Sequence, residues 1–313
     1  MTGGAGFIGS HVARRLLGAG EPVVVLDDFN PFYDPELKRA NARALAAYTG
    51  STIVEGDVRD EALVESLFAR HRFDRVAHMA ALAGVRASME QAQLYLSVNA
   101  LGTGNLLEAA RRHGCELFVL ASTSSVYGRT TRLPFVEDDA ADRPLAAYPA
   151  SKRAAELMAH ACHHLFGLPV TCLRFFNVYG PAGRPDMMPM RVMSAVVDGS
   201  ELPVFDGGAL ERDWTYIDDT VDGVLAALER PMGYEVLNLG FGRPLSLDRF
   251  IATIEQLSGR TLRRRPLPAP PSEPPITFCD NRKARRLLGF DPQVSVEEGL
   301  ERTWAWFSKI RDL

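Results

Sequence analysis

The chain opens with Met1-Thr2-Gly3-Gly4-Ala5-Gly6-Phe7-Ile8-Gly9, and this stretch decides the fold. Gly4, Gly6 and Gly9 match the spacing G-x-G-x-x-G, and Gly3, Gly6 and Gly9 also match G-x-x-G-x-x-G. Glycines at these positions permit a tight turn and let the backbone approach a pyrophosphate at the N-terminus of the following helix. The stretch therefore predicts a dinucleotide-binding turn.

Two predicted elements after the turn support this interpretation. Ser10–Gly18 has the pattern of a helix that ends at glycine, and Glu21–Leu26 has that of a buried strand. The strand delivers Asp27 eighteen residues after Gly9. A carboxylate there can accept both ribose hydroxyls of an adenosine and repels a 2′-phosphate, which favours NAD over NADP. Because a lone glycine motif is a weak signal, the alternative is a glycine-rich turn without a ligand.

No predicted strand precedes the glycine motif, although such a motif normally follows one. Met1 stands where the last residue of that strand is expected. A parallel sheet without its central first strand would leave the neighbouring strands unpaired. Either the true start lies upstream, with Met1 encoded by an alternative start codon, or something else replaces the strand. We expect the first, and mass spectrometry of the protein from its native host would distinguish the two.

Composition bounds the class of protein. The 313 residues allow one large domain or two modest ones, and 46% hydrophobic with 24% charged residues is typical of a soluble protein. A net charge of −4 gives no reason to expect a nucleic-acid or membrane partner. No stretch is as long as a membrane span, and no signal peptide precedes the glycine motif, so we expect a cytoplasmic protein.

The cysteines are scattered and form no C-x-x-C pair. They are Cys115, Cys162, Cys172 and Cys279. Most stand in apolar segments, so we expect reduced core residues, with neither disulfides nor a metal site.

Strand and helix patterns alternate through the first half of the chain. The predicted strands are Val23–Leu26, Thr52–Glu55, Arg75–Ala80, Glu116–Ala121 and Pro169–Phe175, and the predicted helices are Pro35–Tyr48, Glu61–His71, Gln91–His113 and Tyr148–Phe166. Such alternation is typical of an α/β fold with a doubly wound parallel sheet, whose ligands bind at the carboxyl ends of the strands. Asp57, Ala80, Ala81 and Ser122–Ser125 all follow such ends.

The pattern loosens in the second half. Gly180–Met190 is predicted as a loop, and the predicted helices are Met190–Asp198, Asp218–Glu229, Leu247–Ser258, Arg282–Leu288 and Glu297–Ile310. Short strands are expected at Pro203–Phe205, Trp214–Ile217 and Tyr234–Leu239, and the proline-rich Pro266–Pro275 is expected to be extended. Arg263–Arg265 could bind phosphate, but a solvated strand edge is the favoured interpretation.

Tyr148 and Lys152 carry the candidate chemistry. They stand four residues apart on one predicted helix, so their side chains share a face. A phenol with a pKa near 10 is a poor base at pH 7, but a neighbouring ammonium and the positive nicotinamide of bound NAD would lower that pKa. The pair alone is common by chance. It becomes a strong signal behind a dinucleotide motif and a Ser/Thr cluster, from which Thr123 would hydrogen-bond the reacting oxygen.

The chain at this point resembles the extended short-chain dehydrogenase/reductases that act on nucleotide sugars, over essentially its whole length. The markers are Gly3–Gly9, Asp27, Gly56-Asp57, Tyr148-x-x-x-Lys152, Arg174–Pro181 and Arg212–Asp219. Within the family it looks most like the UDP-glucuronate 4-epimerases, through Asp27–Asp34, Ala83–Arg86 and Gly183–Met187.

The resemblance implies a Rossmann domain with a smaller mixed α/β substrate domain. The NAD-binding domain would comprise residues 1–176 and about 213–240, and the nucleotide-sugar-binding domain residues 177–212 and 241–313. The enzyme would be a homodimer packed through the Tyr148 helix and the Gln91–His113 helix. Thr123, Tyr148 and Lys152 would be catalytic.

The resemblance also implies two sets of binding residues. Those for NAD are Gly3, Gly6, Phe7, Ile8, Gly9, Asp27, Phe29, Asn30, Asp57, Val58, Met79, Ala80, Ala81, Ala83, Asn99, Ala121, Tyr148, Lys152, Phe175 and Val178. Those for the UDP-sugar are Arg86, Ser124, Ser125, Tyr148, Asn177, Arg184, Met188, Arg191, Val204, Phe205 and Arg212.

Individual roles follow for the second set. Arg212 and Arg191 would bind the diphosphate, Asn177 phosphate or sugar, and Arg86 diphosphate or hexose, while Pro203–Phe205 would hold the uracil with Phe205 stacked on it. Alternatively, Arg212 forms an ion pair with Asp213 or Asp218. Two departures matter. Relatives often carry a phosphate-binding Arg shortly before the segment matching Pro274–Asp280, where this chain has Pro-Ala-Pro-Pro. Some glucuronate epimerases have Thr where this chain has Asn177.

Ser124 and Ser125 distinguish this chain from family members that catalyse other reactions. Nucleotide-sugar 4,6-dehydratases carry an Asp-Glu pair there, and UDP-glucuronate decarboxylases carry Glu at the position of Ser125. Hydroxyl groups cannot serve as that acid and base near neutral pH. Dehydration and decarboxylation are therefore disfavoured.

The leading hypothesis is NAD-dependent 4-epimerisation of UDP-glucuronate through a UDP-4-keto intermediate. That intermediate is a β-keto acid, so Ser124, Ser125 and Arg184 are candidates to hold its carboxylate near the ketone plane. Alternatively, Arg184 braces its proline-rich loop and the serines only terminate a strand. Other readings are epimerisation of UDP-glucose or UDP-N-acetylglucosamine, a decarboxylase, and a non-catalytic NAD-binding regulator.

Overall fold

Strands and helices alternate along the residues that this computed structural model describes, 1–270 and 273–312. The strands are β1 (Val23–Asp27), β2 (Ser51–Glu55), β3 (Arg75–His78), β4 (Leu117–Thr123), β5 (Val170–Phe175), β6 (Asn177–Tyr179), β7 (Glu201–Phe205), β8 (Glu211–Tyr216), β9 (Tyr234–Leu239), β10 (Pro244–Ser246), β11 (Arg263–Leu267) and β12 (Ile276–Thr277). The helices are α1 (Phe7–Gly18), α2 (Pro35–Ala46), α3 (Glu61–His71), α4 (Val85–Glu90), α5 (Ala92–Leu96), α6 (Gly102–Arg112), α7 (Ala147–Phe166), α8 (Met188–Asp198), α9 (Ile217–Leu228), α10 (Leu247–Ser258), α11 (Arg282–Leu288) and α12 (Val296–Ile310).

The main sheet is parallel throughout. Strands β3, β4, β5 and β9 pair in that order, and β1 pairs with β2. Thr2 joins the two groups, because it forms bridges to Leu26 of β1 and to His78 of β3. The predicted doubly wound α/β fold is confirmed. Residues 1–3 lie between β1 and β3, where the sequence leads one to expect the first strand.

Both faces of this sheet are covered, as its parallel pairing requires. Along β4, Val119 joins a core that contains Val221 and Val224 of α9. Phe118 and Leu120 join a second core that α6 and α7 complete from the other side. Successive side chains of a strand point to opposite faces, so the unbroken apolar run of β4 serves both layers.

A second layer of strands and helices packs beyond β5. Strand β8 pairs with β6, β10 and β12, and β7 pairs with β11. Phe250 of α10 is fully buried and lies 4.3 Å, ring to ring, from Trp214 of β8. Asp213, also fully buried, accepts backbone N–H groups from Phe241, Gly242 and Cys279. These bonds tie strand β8 to the segments around Phe241 and Cys279.

The long helix predicted at Gln91–His113 is interrupted. Its first part is α5, its last part is α6, and Ser97–Leu101 between them forms a π-helical turn. Sequence periodicity cannot show this turn, because the turn adds a single residue to an otherwise continuous helical pattern. The turn places Asn99 in the interior.

Short elements are the ones that the sequence missed. These are α4, β6, β10 and β12, which have two to six residues each. Helix α8 begins at Met188, two residues before the predicted start, and β8 spans Glu211–Tyr216 where Trp214–Ile217 was expected. Such pieces are too short for a periodic pattern and form because tertiary pairing stabilises them.

The structure also tests the predictions for the cysteines, the arginine run and the proline-rich segment. The four cysteines are free and buried, as predicted. Arg263–Arg265 lies in β11, where Arg264 pairs with Asp248 and Glu255, so the strand-edge interpretation is confirmed. Pro266 and Leu267 are extended, whereas Pro271 and Ser272 lie outside the described residues. Within the described ranges no helix is long and apolar enough to cross a membrane, and no acid, thiol and imidazole cluster could hold a metal ion.

Candidate active site

The glycine-rich turn packs directly against the end of β3. Gly3 has a φ of +65°, and a Cβ there would lie 2.5 Å from the backbone nitrogen of Ala80. A Cβ on Gly9 would lie 2.1 Å from the carbonyl oxygen of Gly3. Glycine is required at both positions, because the two backbones approach more closely than any side chain permits. Gly6 precedes α1 as its N-cap and leaves that helix end open to a ligand.

Asp27 ends β1 beside this turn. One carboxylate oxygen accepts the backbone N–H of Ala5 at 3.0 Å, and the other accepts that of Phe29 at 3.0 Å. Burial raises the pKa of Asp27, while these two N–H groups and the ammonium of Lys38 oppose the rise. Each oxygen keeps a second lone pair, so the side chain is fixed and can still accept ribose hydroxyls.

Asp57 and Val58 follow β2 at the same edge. Asp57 forms an ion pair with Arg59, which lowers the pKa of the carboxyl. Val58 is buried against Gly102 of α6. Beside them, the guanidinium of Arg39 lies 4.6 Å above the ring of Phe29. These contacts fix the edge of the pocket where an adenosine would lie.

Asn99 is one NAD-site candidate whose polar groups the protein already uses. Its amide donates to the carbonyl of Leu82 and to the hydroxyl of Ser151, at 2.9 Å each, and its oxygen accepts the N–H of Leu82. Asn99 therefore ties the segment after β3 to helix α7 at the residue before Lys152.

Thr123, Tyr148 and Lys152 converge at the carboxyl end of β4. Thr123 is the last residue of that strand, and the other two lie one turn apart on α7. Burial raises the pKa of Tyr148, while a hydrogen bond to Thr123 and the positive charge of Arg184 lower it. The ring of Tyr95 supports Tyr148 edge-on at 6.2 Å. The sequence analysis expected Lys152 and NAD to lower this pKa; within the chain the opposing groups are Thr123 and Arg184.

Lys152 carries a buried ammonium without a hydrogen-bond partner among the described residues. Burial lowers the pKa of Lys152 to about 8, against the raising effect of Glu156. An unpaired buried donor is costly unless a ligand satisfies it. Together with the glycine turn and Asp27, it fits NAD, whose ribose hydroxyls can accept from this ammonium.

Glu156 is a residue at this site that the sequence analysis missed. It stands one turn beyond Lys152 and is fully buried. One of its oxygens accepts from Ser122 at 2.6 Å and Arg174 at 2.9 Å, and the other accepts from Arg174 and Arg153 at 2.8 Å. The sequence signal that could have indicated Glu156 is its position four residues after Lys152, which places both side chains on one face of the helix. The network locks β4 and β5 to α7 directly behind the candidate catalytic residues.

Arg184 reaches the site from the loop before α8. Its guanidinium pairs with Asp186, donates weakly to the carbonyl of Ala83 at 3.5 Å and lies 5.4 Å from the ring of Phe32. The ion pair raises the pKa of Arg184. Ser124 and Ser125 begin the short 3₁₀ turn after Thr123 and are partly buried. Arg184 thus braces its loop and also places a cation beside the candidate base.

Two arginines share one carboxylate near β8, and a third arginine lies near one of them. Glu273 accepts from Arg86 at 3.1 Å through one oxygen and from Arg212 at 2.9 Å through the other. The charge of Arg86 lowers the pKa of Arg191, after the larger effect of burial, so Arg191 lies nearby. Arg212 pairs with neither Asp213 nor Asp218, the partners considered from sequence.

The remaining candidates lie around the same two regions. Ile8 and Phe7 begin α1; Met79, Ala81 and Ala83 follow β3; Ala121 lies in β4; Phe175 ends β5; Asn177 and Val178 lie in β6; Met188 begins α8; and Val204 and Phe205 end β7. The guanidinium of Arg86 lies 4.7 Å above the ring of Phe205.

Comparison with known proteins agrees with this geometry. Residues 1–240 match the model of the NAD dependent epimerase/dehydratase family. The chain belongs to this family. A UDP-glucuronate 4-epimerase of Thermodesulfobacterium geofontis is 40% identical to this family member over 98% of the chain and 94% of its own length.

Solved structures extend the likeness to the whole fold. The UDP-glucuronic acid 4-epimerase of Bacillus cereus, in complex with UDP-glucuronic acid and NAD, superposes with a TM-score of 0.93 at 35% identity, covering 99% of this chain and 98% of that one. The UDP-glucose 4-epimerase of Thermotoga maritima with UDP-glucose gives a TM-score of 0.90 at 30% identity, with coverage of 99% and 98%. NAD is the cofactor of this family member.

Replacing Lys152 by Met tests the buried ammonium. Below pH 8 the charge is buried in the folded state, so Lys152→Met should stabilise the cofactor-free protein by up to about 3 kcal/mol at pH 7. Between pH 8 and about 10.5 the unfolded chain binds more protons, so the stability of the wild type rises and the gap closes. Urea unfolding at pH 7 and pH 10 measures this. Lys309→Met, on the exposed end of α12, is the control, and a gap that does not shrink at pH 10 would contradict the argument.

Proposed function

We propose that the chain catalyses the NAD-dependent 4-epimerisation of UDP-glucuronate to UDP-galacturonate. The observation that carries this proposal is the convergence of Thr123, Tyr148 and Lys152 at the carboxyl edge of the sheet, with the cation Arg184 beside Tyr148. A neutral sugar needs the first three residues only. A uronate adds a negative charge that Arg184 can meet.

Tyr148 carries the proton transfers, and Thr123 and Lys152 position the reacting groups. NAD, when bound, supplies the hydride acceptor at C4 of the sugar and later returns the hydride. Tyr148 takes the proton from the 4-hydroxyl and returns it to the same oxygen, after the ketone has turned over and presents its other face to the hydride. Thr123 hydrogen-bonds the reacting oxygen and, with the charge of Arg184, favours the phenolate, while Lys152 holds the cofactor ribose.

Ser124, Ser125 and Arg184 would protect the intermediate. A 4-keto uronate is a β-keto acid and loses CO2 when its carboxylate bond stands perpendicular to the ketone plane. Hydroxyl donors and a guanidinium can hold the carboxylate near that plane. To bind it, Arg184 must share its donors with Asp186, the partner it has in the structure.

We assign the rest of the nucleotide sugar to the second layer of the fold. Arg212, Arg191 and Arg86 would meet the diphosphate, and Phe205 would stack on the uracil. The other proposed contacts come from Asn177, Met188 and Val204. In this view residues 177–212 and 241–313 form the substrate domain, and residues 1–176 with about 213–240 hold NAD.

The decisive experiment is NMR of the purified protein with UDP-glucuronate and no added cofactor. We expect a new anomeric signal of UDP-galacturonate, without CO2 and without net NADH, because the hydride returns to the sugar in each turnover. A UDP-pentose would mean decarboxylation. Turnover of UDP-glucose or UDP-N-acetylglucosamine alone would keep the Tyr148 chemistry and contradict the uronate assignment.

Arg184→Ala tests the carboxylate contact. A lost charge-assisted hydrogen bond is worth about 1.5–3 kcal/mol, so kcat/KM for UDP-glucuronate should fall by about 10- to 100-fold. UDP-glucose is the internal control, because it shares every other contact. Its turnover should fall less, through the loss of the positive charge that lowers the pKa of Tyr148. Equal losses for both substrates would show that Arg184 does not bind the carboxylate.

A homodimer through α7 and the α5–α6 helix accounts for a set of exposed apolar side chains. Those on these helices and the intervening turn are Leu96, Leu101, Leu157, Met158, Leu165 and Phe166, each between 38% and 68% exposed. An apolar patch on one face of two adjacent helices favours a subunit interface. We place the protein in the cytoplasm, where its four free thiols stay reduced.

Leu157→Glu should convert the dimer to a monomer. Leu157 is 54% exposed at the middle of α7, and burying a carboxylate in an apolar interface is costly. Light scattering after size-exclusion chromatography measures the mass. Leu37→Glu, at 47% exposure on α2, is the matched control and should leave the mass unchanged. A dimer that survives Leu157→Glu would place the interface elsewhere.

A further inference from the structure

Glu273 holds the position at which an anion would meet two arginines from separate parts of the chain. Arg86 comes from the short helix α4 after β3, and Arg212 comes from β8. Each donates through one terminal nitrogen to a different oxygen of Glu273, at 3.1 Å and 2.9 Å. A diphosphate presents the same arrangement, since it offers one anionic group to each guanidinium.

Arg212 has few donors to spare beyond this contact. One terminal nitrogen already donates to the carbonyls of Glu211 and Pro274, at 2.8 Å and 3.0 Å. The other donates to Glu273. An arginine has five N–H groups, so two remain, one on Nε and one on the terminal nitrogen that donates to Glu273. A phosphate that binds this terminal nitrogen therefore competes with Glu273.

Arg86 has a second contact, with an aromatic ring. Its guanidinium lies over the ring of Phe205, the residue proposed to stack on the uracil. Both surfaces proposed for the nucleotide, an aromatic face and a pair of cations, are thus covered by groups of the chain itself. Arg191 adds a third positive charge nearby. While Glu273 stays paired with Arg86 and Arg212, its negative charge repels a second anion that approaches the same arginines.

We infer that Glu273 occupies the place of the substrate's diphosphate between Arg86 and Arg212, so that a nucleotide sugar binds by displacing this carboxylate. The inference rests on the proposed nucleotide-sugar function and adds a selectivity device to it. A ligand must supply anions for both arginines to replace what Glu273 provides. A nucleoside without phosphates supplies no anion to these cations, so its binding depends far less on Glu273 than the binding of a nucleoside diphosphate does.

The test is calorimetric titration of the NAD-bound protein with UDP and with uridine. Glu273→Gln removes the charge and Glu273→Ala removes the acceptor, so UDP should bind about 10-fold tighter or more to both variants. The affinity for uridine should change far less than the affinity for UDP. Glu201→Gln, which removes a carboxylate from an exposed pair with Arg265, is the control and should leave the UDP affinity unchanged.

The opposing outcomes are distinct. Unchanged or weaker UDP binding in either Glu273 variant overturns the inference, since Glu273 would then support the arginines or contact the ligand itself. Weaker uridine binding likewise overturns it, because it would place Glu273 on the nucleoside. If the wild type does not bind UDP at all, the proposed nucleotide-sugar function fails together with this inference. UDP binding that is insensitive to Glu273 removes the inference alone.

Discussion

Backbone pairing of residues 1–3 between β1 and β3 is the contact on which the rest of the site depends. Thr2 and its neighbours exchange hydrogen bonds with Leu26 on one side and with Ala77 and Met79 on the other, at 2.8–3.1 Å. These bonds join the β1–β2 pair and the β3–β4–β5–β9 group into one sheet. They also bring Gly3 against Ala80 so closely that no side chain fits between them. The candidate dinucleotide site is therefore built on backbone contacts, and the segment after β3 takes its position from them.

At the candidate catalytic residues, burial of the side chains opposes the charges that the proposed reaction needs. Burial disfavours both the phenolate of Tyr148 and the ammonium of Lys152, although the proposed reaction uses both charges. Thr123 and Arg184 lower the pKa of the phenol, and Glu156 raises the pKa of the ammonium. Glu156 is itself tied to Arg174, Arg153 and Ser122, so its position is fixed. A charged pair in so buried a place costs stability, which is usual where a site must be active.

Paired cations recur around the site. Arg184 meets Asp186, and Arg212 meets Glu273, so the groups proposed to bind the substrate's negative charges are already satisfied by carboxylates. Such pairing keeps several arginines close together without mutual repulsion. Substrate binding as proposed would then be an exchange of anions, whose free energy is the difference between two ion pairs. Selectivity for a doubly charged ligand follows from that difference.

The sequence alone determined the class of fold, the dinucleotide turn, Asp27 and the Tyr148–Lys152 pair. These depend on local patterns: glycine spacing, the alternation of strands and helices, and two side chains one helical turn apart. It did not determine the π-helical turn that places Asn99, the network of Glu156, or the position of Glu273. Glu273 is 61 residues from Arg212 and 187 from Arg86 along the chain, and only the tertiary structure brings them together. Spacing along a chain reports contacts within an element, whereas the partner of a charged side chain is decided by how distant elements pack.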